Sequence, residues 1–234
     1  MPFTVWNSVS SEYRTYSPVD DKYVLAPYEP FFLQKPTDVA AVSVPHPLST
    51  AGSRTPTATA AAPRQLVNLT LQADSLADVT RVVLNPDAAT AYERTRDAAK
   101  FFSPEQQRPQ LYSLIGTTAC SINERPEADG RIVLGMRTAS ATHCTLSLAD
   151  SSATVMLEDL VCGTLTDLSQ QAYDFLSRPG TDDTRFVLHV GAAATSITTV
   201  VTTTPATRFN TLGQSVDNRY RGIVVSNRKL FISK

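Results

Sequence analysis

Short runs in which apolar and polar residues alternate recur along most of this chain, and they constrain its fold more than any other feature. Val67, Leu69 and Leu71 would share one face of a strand, and residues 142–148 repeat the pattern. Gly, Asp and Pro separate such runs at intervals of about 8–12 residues. The spacing predicts an all-β fold, a mainly antiparallel β-sandwich or jelly roll.

One segment follows the period of a helix instead. Between residues 88 and 102 the spacings of three and four are those of one helix face, and Ser103-Pro104 would end the helix. The residues on that face are Ala88, Ala91, Tyr92, Thr95 and Ala99. We therefore expect one short helix that crosses an end of the β-structure.

Composition divides the chain into three parts. Residues 45–64 are Pro, Thr, Ser and Ala with almost nothing to bury, which predicts a low-complexity loop. This loop would interrupt a β-domain over residues 1–190. Residues 191–205, rich in Ala and Thr, are predicted to be a spacer before a small C-terminal tail, residues 206–234.

Charge and hydropathy exclude several classes of protein. The 21 basic and 22 acidic residues give no footprint for nucleic acid. No stretch approaches the roughly 18 apolar residues of a membrane span. The start, Met1 to Trp6, lacks the basic and apolar regions of a secretory signal. If the protein is exported, we expect this chain to be a fragment or a mis-started reading frame of a longer precursor.

The sequence offers no spacing typical of a metal site. The three cysteines, Cys120, Cys144 and Cys162, form no pair of close pairs, so we expect free thiols, with Cys144 buried and Cys162 exposed at a turn. His143 and His189 are out of phase with their apolar neighbours, which predicts ordinary surface histidines. Neither a metal nor a cofactor is predicted.

Several carboxylates are candidates for catalytic groups. Adjacent acidic residues such as Asp182-Asp183 point to opposite faces of a strand and form no dyad, although a calcium loop could use them. Glu124 is the most interesting candidate, but a glycosidase needs a second carboxylate about 5–10 Å away. A structural role, with Asp97 or Arg81 as a partner that fixes a strand end, is favoured. No catalytic residue is predicted.

Aromatic residues concentrate in the first part of the chain and leave an alternative open. They are Trp6, Tyr13, Tyr16, Tyr23 and Tyr28. Such a group could form a platform on which sugar rings stack, although aromatics in a β-sandwich more often fill the core. The alternative function is therefore a carbohydrate-binding module of a surface glycan-processing protein. An exposed row of coplanar rings would favour it.

The last residues form a compact pattern of their own. Two β-prone runs, Ile223 to Val225 and Leu230 to Ile232, flank the polar residues 226–229 and predict a terminal hairpin. Upstream, residues 209–216 have the outline of a strand, a Gly turn and a second strand.

This tail resembles the C-terminal sorting domain of type IX secretion cargo in Gram-negative bacteria. The family pattern runs aromatic-Asn-x-x-Gly-x-x-Val, then Lys-Gly-Ile-Tyr-Ile-x-Asn-Gly-Lys-Lys-Val, and ends near a Lys. Matching positions are Phe209, Asn210, Gly213, Gln214, Val216, Gly222, Ile223, Asn227, Lys229 and Lys234. Two positions depart from it, since Val224 replaces Tyr and Arg228 replaces the Gly that favours a tight turn.

The body of the chain is similar to a module that often precedes such tails in surface and secreted proteins of anaerobic bacteria. The similar segments include residues 80–85, 97–101, 109–114, 122–126, 157–159 and 183–186. The resemblance implies an accessory β-domain with no assigned chemistry. It covers most of residues 3–190 apart from the low-complexity loop.

The two resemblances together predict a non-enzymatic function. The chain would be the C-terminal region of a secreted or cell-surface bacterial protein that the type IX machinery at the outer membrane delivers. This machinery is the expected partner, and a glycan is the other partner that the alternative function would add. The resemblance places the sorting signal at Gly213, Gly222, Asn227, Lys229 and Lys234.

Overall fold

Every regular element in the described part of the chain is a β-strand. The computed structural model describes residues 1–42, 64–126, 130–151, 154–191, 208–210, 214–216, 222–226 and 229–233. The chain divides into two units, Met1–Ile197 and Thr198–Lys234. The predicted all-β fold is thus confirmed. The predicted loop and spacer fall almost entirely outside the described residues.

The described residues of the first unit contain fourteen strands. Their bounds are β1 Phe3–Asn7, β2 Glu12–Tyr16, β3 Phe31–Leu33, β4 Gln65–Ala73, β5 Leu76–Leu84, β6 Ala98–Ala99, β7 Gln110–Ile115, β8 Thr118–Arg125, β9 Arg131–Thr138, β10 His143–Ser151, β11 Val155–Asp159, β12 Thr164–Asp167, β13 Tyr173–Leu176 and β14 Gly180–Val190. Eleven of them form one sheet in the order β12-β11-β14-β9-β7-β8-β5-β4-β10-β13, with β6 paired to β8. Among the pairings that the structure describes in this sheet, β5 with β8 is parallel and the others are antiparallel.

This sheet curls until its two ends meet. The Tyr173 hydroxyl on β13 donates to Asp159 on β11 at 2.8 Å, although these strands stand near opposite ends of the strand order. The alternating apolar residues point inward and form one core, which includes Val67, Leu69 and Leu71 of β4. A single curled sheet therefore encloses the main core, rather than the two stacked sheets of a sandwich.

A second, three-stranded sheet in the order β2-β1-β3 precedes the large sheet. Three buried or half-buried arginines bind the N-terminal segment, residues 1–34. One lies in β5, and the other two lie just before β4 and β7. Arg108 pairs with Glu12 at 3.1 Å, Arg64 with Asp20 at 2.6 Å, and Arg81 with Asp21 at 2.7 and 2.9 Å. The N-terminal segment is thereby fastened by charge as well as by packing.

The predicted helix over residues 88–102 is wrong. These residues form turns and the short strand β6, whose Ala98 packs with Val83 and Ile122. Asp97 accepts the backbone N–H groups of Glu93 at 2.6 Å and Glu124 at 2.8 Å. Because Tyr92 is the one large side chain on the predicted helix face, which otherwise holds alanine methyl groups and Thr95, pairing with β8 outweighs the helical propensity.

In the second unit, the residues with described positions form four strands in a sheet of their own. Their bounds are β15 Arg208–Asn210, β16 Ser215–Val216, β17 Gly222–Ser226 and β18 Lys229–Ser233. The order is β16-β15-β17-β18, and all three pairings are antiparallel. The two β-prone runs of the tail lie within β17 and β18.

Candidate functional site

The C-terminal sheet contains the residues that the sequence proposed as a sorting signal. Gly222 at the start of β17 is opposite Ser233, and Lys229 at the start of β18 is opposite Ser226. The sheet thus brings Gly222 and Lys229 to opposite ends of one pair of strands. Gly213, Asn227 and Lys234 lie outside the described residues.

Asn210 has a clear local role that the proposed site residues did not include. Its side-chain carbonyl accepts the backbone N–H of Gln214 at 2.9 Å, and its amide donates to the Gln214 side chain at 3.0 Å. Its own N–H donates to the Gln214 carbonyl at 2.9 Å. These bonds close the connection from β15 to β16, which gives a physical reason for an Asn after the aromatic residue of the motif.

The C-terminal sheet has an open side along β18. β18 is the terminal strand of the order, and among the described residues no strand pairs with it besides β17. An unpaired strand edge presents N–H and C=O groups that another strand can bind. β16 occupies the other end but is only two residues long. β18 is therefore the longer edge available for pairing.

Glu124, the carboxylate that the sequence singled out, lies in a buried ionic cluster. It is 5% exposed. Arg64, Arg96 at 3.3 Å and the Asn85 amide at 2.5 Å all donate to it. Since Arg64 also holds Asp20, the cluster joins the N-terminal segment to the end of β8. These contacts agree with the favoured structural role. Of the two predicted partners, Asp97 contacts Glu124 by accepting its backbone N–H.

A second buried cluster closes the curled sheet. Asp159 is fully buried and accepts from Arg185 Nε at 3.0 Å and Nη2 at 2.8 Å, as well as from Tyr173 and from two turn N–H groups. Burial opposes its charge, but these donors outweigh burial and lower the pKa of Asp159 to about 2. The Arg185 guanidinium also lies 4.7 and 4.8 Å from the ring centres of Phe175 and Phe186. No sequence pattern indicated this pairing.

The expectations for cysteines are confirmed, and one for histidine is not. Cys120 and Cys144 are buried and Cys162 is exposed, all as free thiols. His143 is exposed as predicted. His189 is only 8% exposed, and its Nε2 lies 2.9 Å from Glu158, so the prediction of a surface histidine is wrong. The strand β14 turns this side chain toward its neighbour on β11.

The acidic pair considered for calcium is engaged otherwise. Asp183 accepts the Tyr112 hydroxyl at 2.6 Å, and Asp182 accepts the backbone N–H groups of Thr184 at 3.1 Å and Arg185 at 3.2 Å. Among the residues with described positions, no group of three metal-ligating side chains occurs. Likewise, the described ranges contain no helix with the length and hydropathy needed to cross a bilayer.

A half-open cleft of about 210 Å³ lies between the three-stranded sheet and β6. Phe32 and Phe101 form one wall, with ring centres 5.1 Å apart, and Asp97 lines the cleft from the β6 side. Asp97 is 2% exposed, and burial raises its pKa to about 6, with the negative charges of Glu124 and Glu93 adding to the effect. No sequence pattern marked this cleft.

The N-terminal aromatic residues do not form a row of parallel rings. Tyr16 and Tyr23 stack on each other at 4.0 Å, so each covers a face of the other. Tyr13 is tilted or edge-on to its neighbours Phe32 and Phe101, at 76° and 45°. Phe32 is 44% exposed. The cluster offers exposed aromatic surface without the coplanar row that the carbohydrate alternative requires.

A family model described as a domain of unknown function (DUF8693) matches residues 52–190. The matched residues begin after the three-stranded sheet and end at the last residue of β14. Comparisons with curated proteins and with solved structures found no match.

Proposed function

The chain belongs to the family of this domain of unknown function (DUF8693). For this member of the family, we propose that it is the non-enzymatic C-terminal region of an exported bacterial protein. Residues 198–234 act as its sorting signal for the type IX machinery. Residues 1–197 form an accessory β-domain. This domain consists of the curled sheet and the N-terminal segment instead of the predicted β-sandwich. The protein is secreted or displayed at the cell surface.

One observation carries the proposal. Residues 198–234 form a unit by themselves, and their strands make a sheet that shares no strand with the eleven-stranded sheet. A signal that a transporter binds, and then removes or exchanges for an anchor, has to fold without strands from the cargo. Strands woven into the main sheet would argue against this role. The sequence resemblance supplies the class of partner.

Recognition uses the open edge of β18. Ser226 and Lys229 are opposite each other with two residues between them, which is the closing hydrogen-bonded pair of a two-residue hairpin. Backbone pairing alternates along antiparallel strands. Phe231 therefore bonds toward β17, while Leu230 and Ile232 direct their N–H and C=O groups outward. These outward groups pair with a strand of the receptor.

The first test fuses residues 198–234 to a reporter that carries a signal peptide, in a host competent for type IX secretion. We expect the reporter to reach the medium or the cell surface. The matched control carries the signal peptide without the tail and should remain in the periplasm. Retention of the fusion in the periplasm would contradict the proposal.

Proline variants test the mode of recognition. Ile232→Pro removes an outward N–H and leaves the bonds between β17 and β18 in place, so the hairpin persists. We expect it to reduce export about tenfold, whereas Ile232→Ala, which keeps the N–H, stays within about threefold of the parent tail. Export of Ile232→Pro at the parental level would exclude pairing along this edge while leaving the sorting role intact.

The carbohydrate-binding alternative has weaker support. Its best feature is the exposed aromatic surface around Phe31 and Phe32, which are 37% and 44% exposed. Sugar stacking needs a free ring face, and Phe31 lies edge-on to Phe3 at 78°. Glycan-array binding that is lost in a Phe32→Ala variant would assign this function to the first unit and would leave the sorting role of residues 198–234 open.

A further inference from the structure

The cleft between the three-stranded sheet and β6 contains a buried carboxylate without a positively charged partner among the described residues. Both oxygens of Asp97 accept a backbone N–H, from Glu124 at 2.8 Å and from Glu93 at 2.6 Å. A carboxylate oxygen has a second lone pair, so each can accept once more. Buried charges in proteins are normally paired. Each oxygen of Asp97 thus retains one lone pair that can accept a further hydrogen bond.

Two neighbouring cations are bound to other carboxylates. Arg96, next to Asp97 in sequence, lies 3.3 Å from Glu124 and 3.5 Å from Glu93. Lys100 lies 2.5 Å from Asp78. Within the described part of the chain, the hydrogen bonds that Asp97 accepts therefore come from backbone N–H groups alone. Burial raises the pKa of this carboxyl, and the negative charges of Glu124 and Glu93 raise it further.

Aromatic rings form the wall of the same cleft. Phe32 and Phe101 are 44% and 38% exposed, and their ring centres are 5.1 Å apart. Tyr13 supports both rings from one side, at 6.0 and 5.4 Å. Such rings offer a ligand apolar surface against which a hydrocarbon group or a second ring can pack. Leu33 and Ala98 complete an apolar lining.

We propose that this cleft is a binding site for a small organic ammonium ion. The ammonium group donates to the free lone pairs of Asp97, and the hydrocarbon part lies against Phe32 and Phe101. A volume of about 210 Å³ admits a body the size of one six-membered ring. This site is independent of the sorting role of residues 198–234, because every residue that lines it belongs to the first unit.

The charge of the ligand is the decisive variable. The probe is benzylammonium, and its neutral control is benzyl alcohol, which has the same ring and one hydrogen-bond donor. An NMR titration of the full chain at pH 7.5 should give a Kd at least about tenfold lower for benzylammonium, with shifts at the amides of Phe32, Ala98 and Phe101. Methyl glucoside, the sugar control, should cause no shifts there.

Titration of Asp97 gives a second readout. The titratable and charged groups that face it are Tyr92, Glu93 and Arg96 on its own segment and Cys120 and Glu124 on β8. Benzylammonium remains charged between pH 7.5 and 5, whereas Asp97 becomes protonated. The preference for benzylammonium over benzyl alcohol should therefore fall from about tenfold to about twofold.

Variants of the aromatic wall complete the test without changing the buried carboxylate. Phe101→Leu should weaken benzylammonium binding several-fold. Phe102→Leu is the matched control, since Phe102 is 41% exposed but packs edge-on against Tyr112 and does not line the cleft. Equal affinity for the two probes, preference for the sugar, or shifts confined to other residues would each overturn the proposal, as would the absence of any shift.

Discussion

Replacing Asp159 by Asn should strongly destabilise the first unit. The carboxylate is fully buried and accepts five hydrogen bonds, two of them from the Arg185 guanidinium. An amide has only one acceptor atom, so it cannot replace both oxygens, and the Arg185 charge stays buried without a counter-ion. Breaking a buried pair in this way costs about 3–5 kcal/mol of unfolding free energy.

The pH dependence supplies part of this magnitude from the structure. The donors lower the pKa of Asp159 from 3.8 to about 2. A difference of this size corresponds to about 2 kcal/mol of stability at neutral pH. Because the folded-state pKa is the lower one, the contribution is complete above about pH 4 and is lost as the pH falls through about 2. The stability difference between the parent and Asp159→Asn should therefore shrink by about 2 kcal/mol over that window.

Urea unfolding followed by circular dichroism measures both quantities. The matched control is Asp174→Asn on β13, an exposed carboxylate that accepts only from the Thr145 hydroxyl, and it should change stability by less than about 0.5 kcal/mol. A loss below about 1 kcal/mol for Asp159→Asn would refute the reasoning. So would a stability difference that stays constant between pH 5 and pH 2.

Three further predictions concern the first unit. Gly135→Ala should lower the free energy of unfolding in urea by about 1–3 kcal/mol, because its Cβ would lie 2.1 Å from the Tyr112 ring. In the double variant with Tyr112→Ala, the two losses of stability should be less than additive, and strict additivity would contradict the clash. Residues 35–197 should be less stable than residues 1–197 by more than about 3 kcal/mol, since deletion removes the carboxylate partners of Arg108, Arg64 and Arg81 together with the three-stranded sheet. Equal stability would show that the N-terminal segment is dispensable. A carbon-13 NMR titration of Asp97 should have its midpoint near pH 6, so that the stability it contributes is present below about pH 4 and lost as the pH rises through 6; a midpoint below pH 4.5 would contradict this.

The local pattern predicted strands well because their burial follows the two-residue period. Val67, Leu69 and Leu71 are all fully buried in β4, as their alternation indicates. The same pattern does not determine which strands become neighbours. The parallel pairing of β5 with β8 and the curl that joins β13 to β11 depend on contacts between residues far apart in sequence.

The predictions that failed concern residues whose environment is set by distant partners. Residues 88–102 have helical spacing, but Asp97 and Ala98 gain more from β8 than from a helix with little to bury. His189 is polar in an apolar strand, and only the pairing of β14 with β11 shows that Glu158 is beside it. The cleft around Asp97 combines three segments and was not predictable from any one of them.

The central claim is that residues 198–234 are sufficient to direct export by the type IX machinery. Export of a reporter that carries a signal peptide tests this claim most directly. The measured quantity is the fraction of reporter outside the cell, compared between a competent host and the same host without its type IX translocon. We predict that the tail raises this fraction at least about tenfold in the first host and leaves it unchanged in the second. Equal fractions in the two hosts would contradict the claim.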